Sequence, residues 1–382
     1  MNILMFNYEY PPLGGGGGVA HELIAEALAR RHRVVVVTSG YRDLPDRETR
    51  GDVEILRVPV WGRKELAVAS IPSMLTFPAA TRRIYDALDS ESFDLVTGFF
   101  AVPTGPASVA YAKRKRLPHV VSTLGGDIYD PSKTMSPHRI PPLKWAVRNV
   151  LRDSARIIAD SDDTRENIAR YYGRVGDVDV IRLGIRRVSP PPATRSELGL
   201  PEDVFLTTTV GRLVPRKGLD RLIRVLAAPE LGQVHLAIMG SGPERAALER
   251  LARSEGVADR VRFMGWVDEE TKWQVMRVAD AFVTATLHEG YGLMFLEAMA
   301  EGLPIVAPDH GGHTDFLTDG VTGFLTPAGD EEALRAAIAR VSTDEELRQR
   351  VGDTNRRLFD EEHDIEPCAA AYEAVFEEVL GR

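Results

Sequence analysis

AFVTATLHEGYGLMFLEAMAEGLPIVAPD, residues 281–309, reads as one β-α-β unit with a ligand-binding turn in its middle. Ala281–Ala285 is an apolar run of buried-strand length. His288–Gly292 follows as a turn whose glycines admit unusual backbone angles. Leu293–Ala300 is helix-forming and is stopped by Gly302 and Pro304. Ile305–Ala307 then reads as a second buried strand. The amides near Gly292, Leu293 and Met294 point out of the helix start, where an anion is favoured. Glu297 lies four residues past Leu293 and shares its helix face. Glu289 precedes the helix and repels phosphate, so a hydroxyl-rich part of the ligand suits it. A nucleotide sugar combines these features. A lone glutamate is most often simply solvated. This pair instead brackets a Gly-rich turn at a strand's carboxyl end, where open α/β sheets bind ligands.

The same alternation extends in both directions. Asn2–Phe6, Val34–Thr38, Val53–Val60, Asp94–Gly98, His119–Leu124, Arg156–Ala159 and Val178–Leu183 read as strands. Val19–Arg30, Pro72–Leu88, Pro106–Lys115, Pro142–Asp153 and Thr164–Tyr172 read as the helices between them. Strand and helix in alternation argue an α/β chain with parallel, doubly wound sheets. Residues 186–200 break the pattern with Pro190–Pro192 and read as a linker. Beyond it come strands at Phe205–Val210, Val234–Met239 and Val261–Met264, and helices at Leu219–Ala227, Arg245–Ser254 and Thr271–Val278. Helices Glu331–Val341, Glu345–Glu361 and Glu366–Leu380 close the chain. The expected division is 1–185, a linker at 186–200, 201–363, and a terminal helix in 364–382.

The 382 residues suffice for two ordinary domains. A single cysteine, Cys368, excludes an internal disulfide and fits a reducing compartment. Met1–Phe6 enters a strand without a basic leader, so a cytoplasmic protein is expected. The uncharged run Leu66–Thr81, broken by Pro72 and Pro78, is too short to span a bilayer. Charge is uneven: residues 1–185 are net +3 and the remainder net −12. With Trp61, Arg63 and Lys64, the Leu66–Thr81 run suggests a peripheral contact with anionic lipid. Nothing suggests a nucleic-acid partner.

Gly14–Gly18, including Gly16 and Gly17, lies between a strand and a helix, as a phosphate-binding loop does. The second strand ends in Thr38-Ser39-Gly40 with no carboxylate for a cofactor ribose, so a nicotinamide cofactor is discounted and no cofactor is expected. Arg212, Arg216 and Lys217 place positive charge at a strand's carboxyl end, which a diphosphate leaving group needs. Gly240 and the Gly265-Trp266-Val267 turn follow two further strands. The histidines of Asp309–Asp315 lack the flanking pattern of a metal site, so no metal is expected. Asp160-Ser161-Asp162 and Asp177-Val178-Asp179 read as a helix cap and a solvated turn.

EGYGLMFLEAMAEGLPIVAPDHGG resembles the signature of group 1, retaining glycosyltransferases of the GT-B fold. GRLVPRKGLDRLI, the GSGPE turn, Gly265-Trp266-Val267, DGVTGFL and MNILMFNYEYPPLGGGGG resemble its other segments in order, over nearly the whole chain. The resemblance implies two Rossmann-like domains facing across a cleft, the first for the acceptor and the second for the nucleotide sugar. The terminal helix is expected to return to the first domain. The resemblance also implies transfer of a hexose-type sugar from a UDP- or GDP-linked donor to a sugar, lipid-linked or small-molecule acceptor. It assigns Arg212, Lys217 and Arg216 to the diphosphate, joined by the amides of Leu293 and Met294. Glu297 falls to the ribose, Val267 to the base, Glu289 to the transferred sugar and Gly16 to the donor phosphate. Leu124 stands where the family has a histidine, leaving Asp127 as the nearest polar candidate for catalysis. Asp315 stands where a glutamate is more common. A nucleotide-sugar epimerase of the same fold and a non-catalytic sugar-nucleotide binding module are the rival expectations.

Overall fold

A computed structural model describes residues 1–66, 69–132 and 135–382. It divides into two compact units, Met1–Ile185 with Ile365–Arg382, and Arg186–Asp364. In the first unit the strands are β1 (Asn2–Asn7), β2 (Arg33–Ser39), β3 (Arg47–Arg50), β4 (Val53–Val58), β5 (Leu95–Phe99), β6 (His119–Thr123), β7 (Arg156–Ala159) and β8 (Val178–Val180). Among the described residues they form one sheet in the order β3-β4-β2-β1-β5-β6-β7-β8. The inner strands are buried along nearly their whole length, which is why they read as unbroken apolar runs. The order reverses at β1, so its carboxyl end opens into the crevice that precedes the glycine run.

Several expectations shift. β3, Arg-Glu-Thr-Arg, pairs antiparallel with β4 at the sheet edge. It carries no apolar residue, so periodicity does not reveal it, and its charges protect an exposed edge. The helix after β1 spans Gly16–Ala29, so Gly16–Gly18 form its first turn instead of a loop before it. The helix expected at Pro72–Leu88 breaks into Ile71–Ala80, a 3-10 turn and Tyr85–Asp89. Of the apolar run 66–81, Ala67 and Val68 lie outside the described residues.

The C-terminal helix Ile365–Leu380 belongs to the first unit. Its buried face, Ile365, Cys368, Ala369, Tyr372, Val375 and Phe376, repeats at helical spacing. The Tyr372 ring stacks on Phe99 with centroids 5.9 Å apart, and His32 Nε2 meets Glu373 at 2.6 Å. Each large apolar side chain buried there contributes roughly 1.5–3 kcal/mol.

In the second unit β9 (Phe205–Val210), β10 (Val234–Met239), β11 (Val261–Gly265), β12 (Ala281–Val283), β13 (Ile305–Pro308) and β14 (Gly323–Thr326) form a parallel sheet ordered β11-β10-β9-β12-β13-β14. The order reverses between β9 and β12, again placing a crevice at the carboxyl edge. β14, a short edge strand, is a further element that apolar patterning misses.

Residues 186–200 are not a free linker but pack on this second unit. Arg195 donates to the carbonyls of Val278 and Val204, both at 2.9 Å, and pairs with Asp280. Arg277 and Gln274 donate to the carbonyls of Pro190 and Pro191. Prolines cannot donate, but their carbonyls remain good acceptors.

Candidate functional site

The strand-end turns of the second sheet meet along one edge. The Gly240 amide donates to Gly265 O at 2.6 Å and the Leu213 amide to Ser241 O at 3.0 Å. Gly240 has φ +138°, and a Cβ there would run into Gly211 O, so only glycine lets the two turns touch. The Arg216 carbonyl accepts from the Leu287 amide at 2.7 Å, and the Arg216 guanidinium donates to His288 O at 3.0 Å. The basic turn after β9 is thereby locked to the turn after β12. The Gly312 amide donates to Glu289 O at 3.0 Å, adding the turn after β13.

Glu289 sits at the centre of this junction, with its side chain only 11% exposed. Its Oε1 is hydrogen-bonded by Lys217 Nζ, accepts from Thr286 Oγ1 at 3.1 Å, and lies 3.6 Å from Arg216. Burial pushes the carboxyl up, but Lys217 and Arg216 outweigh it and hold the group below its ordinary value. Glu289 is therefore ionised, and it neutralises cations that a diphosphate would otherwise attract. Arg212 is exposed and has no partner among the described residues.

Gly292 starts the helix Leu293–Glu301 at φ +89°, with the Phe295 ring packed where a Cβ would stand. Among the described residues no side chain caps this helix, and its first turn holds no acidic residue. A helix start of this kind favours an anion at the amides of Leu293 and Met294. Glu297, on the next turn, pairs with Lys272 at 2.7 Å, each side chain 12% exposed. Burial pushes Glu297 above the usual carboxylate value, and Lys272 offsets only part of that. Lys272, on the helix Glu269–Val278, is a residue that motif reading missed. It lies 25 positions before Glu297, and no local pattern couples the two. Thr286 was missed likewise. His313 Nε2 bonds to Pro308 O at 2.7 Å, so this histidine holds the turn.

Ten of the singled-out residues, Arg212, Arg216, Lys217, Gly240, Val267, Glu289, Gly292, Leu293, Met294 and Glu297, thus come from turns or a helix start on one sheet edge. Gly16, Gly17 and Asp127 belong to the first unit. There Gly16 and Gly17 open the helix after β1, and a Cβ at Gly17 would strike Phe100 and lie 3.2 Å from Leu124 Cδ1. Leu124 is therefore an apolar wall against the glycine turn. The Asp127 carboxylate accepts from the amides of Ala101, at 2.5 Å, and Leu124, at 2.9 Å. Buried and doubly bonded to backbone, it positions the two loops, which argues against the catalytic role expected of it.

A family model described as "Glycosyl transferases group 1" matches residues 192–358, and one described as "Glycosyl transferase 4-like domain" matches 14–184. The lipopolysaccharide core biosynthesis glycosyltransferase LpsD of Rhizobium meliloti is 35% identical over 196 residues. That match spans about half of either chain, 50% of this one and 56% of LpsD. Among solved structures, a sucrose-phosphate synthase from Thermosynechococcus elongatus superposes with a TM-score of 0.85 at 21% identity, covering 100% of this chain and 99% of the other. HepE of Anabaena, in complex with UDP and glucose, superposes with a TM-score of 0.78 at 21% identity, covering 99% and 100%.

Proposed function

The chain belongs to the group 1 glycosyltransferases and has a GT-B fold, and from that premise we propose that it transfers a hexose-type sugar from a UDP- or GDP-linked donor to an acceptor hydroxyl, retaining the anomeric configuration and needing no metal. The observation that carries this is the junction of Lys217, Arg216 and Glu289 beside the uncapped helix start at Gly292. A diphosphate entering there meets Lys217, the exposed Arg212 and the amides of Leu293 and Met294. Lys217 exchanges its carboxylate partner for phosphate, and Glu289 is released toward the hydroxyls of the sugar. Positive charge supplied by side chains and a helix dipole does the work that a divalent cation does elsewhere.

In the reaction the bond from C1 to the phosphate oxygen breaks and a bond from C1 to the acceptor oxygen forms on the same face. The acceptor's proton passes to the departing phosphate, whose growing charge Arg212 and Lys217 stabilise. HepE crystallised with UDP and glucose supports a uridine donor. The lipopolysaccharide core relative supports a glycolipid or saccharide acceptor. Among the described residues no helix is long and apolar enough to cross a membrane. Exposed Trp61, at 72%, and Leu75, at 68%, support a peripheral lipid contact on the first unit. Arg63, expected to join that patch, instead turns inward and donates to Ser39 and the Leu66 carbonyl, leaving Lys64 as its cation.

The test is a thermal-shift panel of nucleoside diphosphates and their sugars, since a ligand of the folded state raises Tm. Transfer assays in excess chelator follow for whichever donor binds. Stabilisation by one nucleotide and its sugar, with undiminished transfer in chelator, is expected. Activity restored only by Mn²⁺ or Mg²⁺ would overturn metal independence. Epimerised nucleotide sugar accumulating without acceptor would favour an epimerase, and donor binding without turnover a binding module.

A further inference from the structure

Lys272 lies on the helix Glu269–Val278, five positions after Val267 in the turn that follows β11. Its ammonium meets Glu297 Oε1 and Glu269 Oε1, each at 2.7 Å. The two partners differ: Glu269 is 69% exposed, whereas Glu297 is almost enclosed. An ammonium carries three donors and a carboxylate about four lone-pair sites. Lys272 therefore retains one donor, and Glu297 Oε2 has no partner among the described residues.

We propose that Lys272 is a specificity-determining residue of the nucleotide subsite, which holds Glu297 in place and offers its remaining N–H to a hydroxyl of the ribose diol. This rests on Glu297 as the ribose carboxylate in the reading above. A carboxylate alone senses only that a hydroxyl can donate. A lysine–carboxylate pair reads the same hydroxyl as donor and acceptor together. A deoxy sugar then leaves both charged groups short of a partner in a nearly closed site, the arrangement that discriminates most strongly. Lys272 takes this position because the helix after β11 lays its first turn beside the helix that carries Glu297, bridging the expected base and ribose positions. If it served only as a counter-ion, it would make no distinction between the two sugars.

The experiment is calorimetric titration of UDP and GDP and of their 2′-deoxy and 3′-deoxy counterparts into the full chain. It is run on the wild type, Lys272→Met, Lys272→Arg and Glu297→Gln. The wild type is expected to disfavour at least one deoxy nucleotide by about tenfold or more. Lys272→Met should lose about tenfold on the ribonucleotide while its affinity for that deoxy form changes less than about threefold, so discrimination collapses. Lys272→Arg, which keeps charge and donors, should retain part of it. Equal loss on both forms, or no loss on either, overturns the proposal. Removing Lys272 strands a buried carboxylate, which can prevent folding. In that event the double variant Lys272→Met/Glu297→Gln, which strands no charge, is compared with Glu297→Gln alone. Weaker discrimination in the double variant supports Lys272, and identical discrimination overturns it. A wild type that binds neither UDP nor GDP, or a Glu297→Gln that binds the ribonucleotide unchanged, sinks the ribose assignment of Glu297 itself.

Discussion

Glu289 and Glu297 are both enclosed carboxylates matched to a lysine from another element, yet their surroundings assign them different work. Glu289 is gripped by Lys217, Arg216 and Thr286, where the proposed reading puts the junction of sugar and diphosphate, and among the described residues Glu297 pairs with Lys272 alone. In the proposed transfer, charge changes near the first and not near the second. Glu289→Gln should therefore keep nucleoside diphosphate affinity within about threefold, under ~1 kcal/mol, while kcat falls at least about tenfold, or ~1.4 kcal/mol. Glu297→Gln should show the reverse weighting. Calorimetry of the diphosphate beside steady-state kinetics checks both, and an exchanged pattern would reverse the assignments. Asp160 offers a stability test. Burial pushes its carboxyl up to about 7, helped by nearby Asp127 and opposed by hydrogen bonds from Thr164 and Ser161. The folded protein then binds a proton that the unfolded chain releases near pH 4, so this stability is present below pH 4 and lost as pH rises through 7. Asp160→Asn should raise the stability at pH 8 by on the order of a few kcal/mol at most, read as a higher Tm, and the gain should vanish below about pH 4. A gain independent of pH would disprove the shift. The spacing of the two glutamates around the glycine turn singled them out, and the structure shows both enclosed and paired with a lysine. Lys272 was not legible, because a contact between two helices leaves no local signature.

At the scale of elements, turn chemistry and burial decide what periodicity leaves open. Ser161 was legible as a helix cap, and its hydroxyl accepts from the Thr164 amide at 3.1 Å. The glycine run was legible as a phosphate-type loop, but the structure draws Gly16–Gly18 into the helix, which shortens the loop and exposes helix-start amides. The terminal helix is the element whose place is most testable. Tyr372 is fully buried against Phe99 and Phe376. Tyr372→Ala should therefore cost about 3–5 kcal/mol, the range for emptying an aromatic site. Urea unfolding checks this, and a loss below about 1 kcal/mol would show that the helix docks only loosely.

At the scale of the whole molecule, residues 1–185 are net +3 and the remainder net −12, but the acidic terminal helix joins the first unit and brings its net charge to about zero. The first carries Trp61, Leu66, Ile71 and Leu75 exposed beside Lys64. Flotation with phosphatidylglycerol vesicles at low salt should recover a salt-sensitive fraction of the protein, and Trp61→Ala with Leu75→Ser should reduce it. Recovery equal to that on neutral vesicles would dismiss the contact. Alternating apolar runs and glycine turns determined the α/β class, and with the spacing of Glu289 from Glu297 they pointed to a candidate site at the strand ends, because period and turn chemistry are local properties. Tertiary structure alone decided that residues 186–200 pack on the second unit, that Asp127 ties loops together, that Arg63 turns inward, and that Lys217 and Lys272 each hold one glutamate. Each of these depends on groups far apart in sequence becoming neighbours when the sheets assemble, and burial then sets which charges must pair.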